Sequence, residues 1–291
     1  MAAIKCLVVG LGIGQLYKNV CKDLKYICYT VDINPDLNPN YLDLDQAITD
    51  VNSIDIAIVS VPNYLHYSIA KKVAKVSKIV LIEKPGVKDA QEWQSLVREF
   101  PNTRFMMIKN NQYRDNTKLL FAKYHKSKNI KLHWINNNRV PKPGSWFTNS
   151  QLSYGGVSKD LLPHLLSFYT LFEPQYQQTN WHNKIKTQKW QLQDLTDSDY
   201  GDIKVDGIYN VDDYVTLNTK IFNKDITITT DWRSMSGSDI GLYFDNEFID
   251  LGLCPESAYK NMLKFVYANI YNDIFWQNQL EQDIWIHKQI A

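Results

Sequence analysis

The sequence predicts an α/β protein: a doubly wound parallel sheet over residues 1–112, then an α+β domain with a mainly antiparallel open sheet over 113–291. Three observations predict it. Short apolar runs alternate with helical patterns as far as Ile108, the rhythm of βαβ units with right-handed crossovers. Past Lys109–Asp115 the rhythm changes, and strand-like runs follow one another across hairpin-sized links. A length of 291 residues also corresponds to about two domains with substantial cores.

The elements follow in order. Residues 4–9 read as a buried strand, 15–24 as a helix and 26–31 as a second strand. After the turn-rich Asn34, Pro35, Asn38 and Pro39 come a short helix at 44–51 and a strand at 54–61. A helix at 64–76, a strand at 79–82, a helix at 90–100 and a strand at 104–108 complete the series. In the second half, 116–126 is helical and 131–136 strand-like. Strands at 214–222 and 226–232 are joined by Asn223-Lys224-Asp225, and 242–251 offers one or two more. Residues 256–289 are mainly helical, with Met262, Phe265, Val266 and Ile270 near the 3.6 period. The Gln-, Asn- and Lys-rich stretch 175–191 reads as a solvated loop or a variable edge.

Composition narrows the function. Hydrophobic residues at 44% and charged residues at 22% exclude general disorder. A net charge of +1 gives no field to recruit nucleic acid or a membrane. Cys6, Cys21, Cys28 and Cys254 form no CxxC pair and no Cys/His metal spacing. No stretch approaches the roughly 18 apolar residues of a membrane helix, and the N-terminal run is too short for a signal segment. The expected location is cytoplasmic.

Val8-Val9-Gly10-Leu11-Gly12-Ile13-Gly14-Gln15 lies where a dinucleotide fold makes its first turn, after a strand and opening a helix. Glycines there permit the turn and let backbone N–H groups approach a pyrophosphate at the helix N-terminus. Gly10, Gly12, Ile13 and Gly14 are the candidate loop residues, although Gln15 stands where the usual G-x-G-x-x-G spacing has its last glycine. Asp32 ends the second strand about 20 residues on, placed to accept from ribose hydroxyls. A carboxylate there repels a 2′-phosphate, and Ile33-Asn34-Pro35 supplies no cation to hold one, so NAD is favoured over NADP.

In the second half, Gly155-Gly156-Val157-Ser158-Lys159-Asp160-Leu161-Leu162-Pro163-His164 places an acid and an imidazole at i, i+4, one face of a single helix. A carboxylate beside an imidazole orients a general base or stabilises its charged form. Pro163 cannot donate to the carbonyl four residues back, so it kinks the helix or marks a first turn.

Two further segments follow strands: Val61-Pro62-Asn63-Tyr64-Leu65-His66 and Ile82-Glu83-Lys84-Pro85. With the glycine loop and the Asp160–His164 segment, in this order, the chain resembles the Gfo/Idh/MocA oxidoreductases, the glucose–fructose oxidoreductase and inositol dehydrogenase family. Asp213-Tyr214-Val215-Thr216 and Asp231-Trp232-Arg233 look like that family's later sheet strands. The resemblance implies a Rossmann domain followed by a domain whose open sheet joins a homodimer or homotetramer. It implies that Lys84 lies near the nicotinamide and the reacting oxygen, and that Asp160 and His164 act in proton transfer. It also places Pro62, Asn63, His66 and Glu83 among the cofactor-lining residues.

The expected reaction is hydride transfer between NAD and a secondary alcohol or ketone carbon of a sugar, cyclitol or derivative, nucleotide-linked and acidic sugars included. His164 is the expected general base, Lys84 the stabiliser of the alkoxide and Asp160 the residue that orients His164. Asn111, Tyr113, Arg139 and Trp146 are candidate substrate contacts, polar groups with an aromatic wall. Two alternatives stay open: an NAD-dependent glycoside hydrolase or lyase on the same fold, and a non-catalytic dinucleotide-binding regulator.

Overall fold

The structure, a computed structural model, describes residues 3–195, 198 and 200–291. The chain divides into two compact units: 1–113 with 255–289, and 114–254 with 290–291. The first break follows Tyr113, where the sequence division was set at 112/113, and Pro255–Gln289, within 113–291 by that division, cluster with the first unit.

The first unit holds β1 (Lys5–Val9), α1 (Gly14–Asp23), β2 (Ile27–Val31), α2 (Leu44–Val51), β3 (Ile54–Val59), α3 (His66–Ala74), β4 (Ser77–Ile82), α4 (Ala90–Glu99) and β5 (Arg104–Met107). Its sheet has the order β2-β1-β3-β4-β5, with every neighbouring pair parallel. The strands are near-continuous apolar runs because helices cover both faces; Leu7, Ile56, Val80 and Met106 are fully buried. The chain leaves β1 towards β2 on one side and pairs with β3 on the other. That reversal opens a crevice at the carboxyl ends of β1 and β3, where open α/β sheets bind ligands.

The second unit contains α5 (Thr117–Lys126), β6 (Asn129–Asn137), α6 (Ser150–Ser153), α7 (Val157–Asp160), α8 (Leu162–Phe172), β7 (Asn183–Thr187), β8 (Tyr214–Ile221), β9 (Lys224–Ser234), β10 (Asp239–Phe244) and β11 (Glu247–Asp250). The sheet order is β11-β10-β6-β9-β8-β7, and all pairs are antiparallel except β6–β9. β6 alternates strictly, with Ile130, Leu132 and Trp134 buried and Asn129 and Lys131 exposed. The stretch 175–191, read as a loop or an edge, contains the edge strand β7. All of β7 is exposed, so no apolar alternation announced it.

The chain then returns to the first unit as α9 (Glu256–Ala268) and α10 (Asp273–Gln289). α9 packs on α1, with Tyr259 edge-on to Tyr17 at 5.5 Å, while α10 packs on β5 and α4. Among the described residues, no helix is long and apolar enough to cross a membrane.

Candidate functional site

The glycine loop is shaped by Ser60, at the end of β3. Gly10 has φ +89°, and a Cβ there would lie 2.5 Å from the Ser60 carbonyl oxygen. The Ser60 hydroxyl donates to the carbonyls of Gly10 (2.8 Å) and Val9 (3.1 Å), which fastens the turn to the neighbouring strand. A Cβ on Gly14 would stand 2.9 Å from Ser60 Oγ and 3.0 Å from Val8 Cγ1. Gly14, rather than residue 15, thus makes the close helix–strand approach. Gln15 is released to donate through Nε2 to the Leu37 carbonyl at 3.2 Å.

Gly12 differs from both neighbours. A Cβ on it would meet nothing within 4 Å. The protein's own packing does not require a glycine there, whereas close approach of a pyrophosphate does. The start of α1 has no side-chain cap and no acidic residue in its first turn, so its N–H groups suit an anion. Asp32 sits across the loop: Oδ2 accepts from the Leu11 N–H (2.6 Å) and Oδ1 from the Asn34 N–H (2.8 Å). A carboxylate has about four acceptor positions, so ribose hydroxyls can still bind it. These residues fit NAD.

The next two loops close on each other. Pro62 and Asn63 are half-buried before α3, whereas His66 is 1% exposed. Its Nδ1 lies 2.6 Å from the Gly86 carbonyl oxygen and its Nε2 2.8 Å from that of Val61. His66, implied as a cofactor-lining residue, lies buried between the two loops and contacts a carbonyl of each. Glu83 is buried as well: it accepts from the Tyr17 hydroxyl (2.5 Å) and from the Lys84 N–H (3.1 Å), and burial pushes its carboxyl up. Glu83 is therefore a brace for the loop, and only half-buried Lys84 is presented at the end of β4.

In the second unit the glycine pair folds around Asp212. The Gly156 N–H donates to its Oδ1 (3.1 Å), the Val157 N–H to its carbonyl (2.8 Å) and the Ser158 N–H to its Oδ2 (2.7 Å). A Cβ on Gly156 would fall 1.8 Å from the Asp212 carbonyl oxygen, so no larger residue fits. The single helix face expected for Asp160 and His164 is not formed. α7 ends at Asp160, Pro163 lies in the first turn of α8, and His164 follows it. Asp160 Oδ2 accepts from Trp232 Nε1 at 2.9 Å, and the His164 ring stacks on Trp134 at 5.1 Å. Both side chains are half-buried. Asp212, Trp134 and Trp232 were not singled out in the sequence for this site. Each acts from a segment distant in sequence, and the Asp231-Trp232-Arg233 resemblance carries no sign of the contact with Asp160.

The candidate substrate contacts fall in different settings. Asn111 is 0% exposed, so it offers no surface to a ligand. Tyr113 is half-buried, its ring 5.9 Å from Phe265 on α9. In the second unit, the Arg139 guanidinium lies 4.9 Å over the Tyr200 ring, and half-buried Trp146 stacks on Phe147 at 3.9 Å.

Residues 4–108 match the profile of an oxidoreductase family with an NAD-binding Rossmann fold, Gfo/Idh/MocA. This match covers just over a third of the chain and likens its Rossmann part to the NAD-binding domain of that family. A segment of 117 residues, 39% of the chain, is 30% identical to a putative UDP-kanosamine synthase oxidoreductase subunit of Amycolatopsis mediterranei (strain S699). That match spans about a third (33%) of the relative. Solved structures of similar fold extend over the whole chain. GenD2 from gentamicin A biosynthesis, in complex with NAD, superposes with a TM-score of 0.74 at 14% identity, covering 100% of this chain and 93% of that one. Myo-inositol dehydrogenase of Corynebacterium glutamicum gives 0.72 at 13% identity over 99% and 95%. Levoglucosan dehydrogenase with NADH and levoglucosan gives 0.72 at 12% over 99% and 96%. At these identities the structural likeness establishes the fold.

Proposed function

We propose that this chain is an NAD-dependent oxidoreductase of the Gfo/Idh/MocA type, acting on a secondary alcohol or ketone carbon of a sugar, cyclitol or sugar derivative. The observation that carries the reading is the presentation of Lys84. It stands at the carboxyl end of β4, beside the crevice strand β3, on a loop fastened by Tyr17 and His66. An ammonium there favours a developing alkoxide. Gly10, Gly12, Ile13, Gly14 and Asp32 hold NAD, with Pro62 and Asn63 along its path. Bound NAD supplies the hydride acceptor.

His164 takes the hydroxyl proton, since imidazole is the side chain that ordinarily titrates near neutral pH. Trp134 fixes the plane of its ring. Asp160, oriented by the Trp232 N–H, offsets the positive charge that His164 gains. Arg139 and Trp146 are the proposed substrate contacts. Relatives named for inositol, levoglucosan and UDP-kanosamine chemistry support a sugar-like substrate. The open face of the second sheet is the proposed homodimer or homotetramer contact, and the cytoplasm the proposed location.

The test is a panel of cyclitols, anhydrosugars, free sugars and nucleotide-sugars followed at the NADH absorbance. NADH should form with one class, and His164→Ala should slow it by about 10²–10⁴-fold. A His164→Ala enzyme with unimpaired turnover removes that residue from the mechanism. Substrate cleavage without net NADH would favour the hydrolase or lyase, and binding without turnover the regulator.

A further inference from the structure

We infer that His287, on α10, is a positioning residue for Lys84, anchoring the loop that carries it at Val87, next to the Gly86 carbonyl held by His66. The inference rests on the reading of Lys84 as the group facing the reacting oxygen. α10 buries a polar stripe at i, i+4, i+8: Gln279, Asp283 and His287 are 6%, 0% and 0% exposed. Buried polar side chains destabilise a helix contact by about 1–3 kcal/mol each unless they are bonded, so such a stripe calls for partners. Two of the three have partners at strand ends of the first unit. Asp283 Oδ2 accepts from the Met107 N–H at 2.9 Å, and its Oδ1 pairs with Lys109, which fastens α10 to the end of β5.

His287 reaches further, to the Lys84 loop. Val87 N lies 3.2 Å from His287 Nε2, and His287 Nδ1 lies 2.6 Å from the Asp283 carbonyl oxygen. A backbone N–H can only donate, so Nε2 carries the lone pair and Nδ1 the proton. The ring lies against Trp93 at 5.1 Å. It also occupies the space in front of Gly86, which has φ +84° and whose Cβ would fall 2.6 Å from Nε2.

The loop is thus held from three elements: Tyr17 of α1 on Glu83, His66 of α3 on the Gly86 carbonyl, and His287 of α10 on the Val87 N–H. Lys84 and Pro85 lie between these anchors. The backbone at residue 84 fixes the point from which the flexible lysine stem reaches, and so the set of positions its ammonium can sample. A displacement of about 1 Å at a reacting group can cost on the order of 10²-fold.

Two measurements test this. In the unmodified protein, long-range 1H–15N NMR of the His287 ring should show the neutral Nδ1–H tautomer. An Nε2–H tautomer leaves no acceptor for Val87 and overturns the inference, whether or not any variant folds. Second, Lys84 is labelled with pyridoxal phosphate and borohydride, with and without NADH, in wild type, H287F and H287Q, and the modified peptide is quantified. NADH should protect Lys84 in wild type and in H287Q, whose amide oxygen replaces the acceptor. Protection should fall roughly 10-fold in H287F, the order expected for one lost anchoring hydrogen bond. Equal protection in H287F and wild type refutes the positioning role. Absence of NADH protection in wild type defeats the Lys84 reading itself, and with it any positioning of that lysine, even if the tautomer shows His287 holding the loop.

Discussion

Gly10 and Gly12 are two residues apart in one loop, yet their substitution by alanine should act on different properties. At Gly10 an alanine meets a left-handed backbone, costing about 1–2 kcal/mol. It also meets the Ser60 carbonyl oxygen at 2.5 Å, and relieving that overlap moves backbone, about 1–3 kcal/mol more. Gly10→Ala should therefore lose about 2–5 kcal/mol of stability. Gly12 has neither a left-handed φ nor a neighbour within 4 Å of its Cβ position. Gly12→Ala should leave stability unchanged or raise it by about 0.4–1 kcal/mol, because alanine restricts the unfolded chain. The new methyl instead fills the space reserved for the pyrophosphate, and NADH affinity should fall by roughly 10–100-fold, the cost of overpacking by one methyl. Thermal unfolding without cofactor, then NADH titration by tryptophan fluorescence, separates the two effects. A Gly12→Ala protein that binds NADH as wild type does would refute the assignment of that space to the cofactor. One that melts well below wild type would show that Gly12 serves packing after all.

Other outcomes follow from the same contacts. Asp212→Ala strands the Gly156 and Ser158 N–H groups and the Ser158 hydroxyl, and should lower stability by about 3–5 kcal/mol in denaturant unfolding. Lys109 and Asp283 are both 0% exposed in side chain; burial pulls the lysine down and pushes the carboxyl up, against their mutual attraction. Lys109→Met leaves a buried carboxylate unpaired and should cost about 3–5 kcal/mol, whereas the double variant Lys109→Met/Asp283→Asn should recover most of that loss while the amide still accepts from Met107. His66 is pulled two ways. Burial pushes its imidazole down to about 4; the two carbonyl contacts oppose this, and the nearby Lys84 charge reinforces it. Burial dominates, since a 1%-exposed imidazolium has no carboxylate partner among the groups acting on it. The folded value lies below the ordinary 6.5, so the unfolded chain takes the proton first as pH falls. Stability present above pH 6.5 should decline by about 3 kcal/mol towards pH 4, and His66→Gln should flatten that slope in pH-dependent unfolding.

Much of the first unit was legible because its strands are continuous apolar runs and its helices amphipathic. α2 falls on the expected residues 44–51, and the glycine loop, Asp32 and Lys84 stand where strand ends put them. α9 and α10 follow the second unit in sequence yet cluster with the first; the apolar residues they bury, Met262, Val266, Trp285 and Ile286, mark a buried face but not the unit it packs on. The helix break between Asp160 and His164 was signalled by Pro163, whereas the groups that orient the two could not be. Trp134 and Trp232 come from β6 and β9, and Asp212 lies far along the chain from Gly156. Sequence spacing marks the groups that carry chemistry, while the residues holding them come through tertiary pairing.

The most direct test of the central claim is titration of the purified chain with NADH and NADPH, read from quenching of its 8 tryptophans. The account predicts saturable NADH binding at least about 10-fold tighter than NADPH, because the Asp32 carboxylate repels a 2′-phosphate. Tighter binding of NADPH would contradict the reading of Asp32. No saturable binding of either would contradict the cofactor site, and the proposed oxidoreductase activity with it.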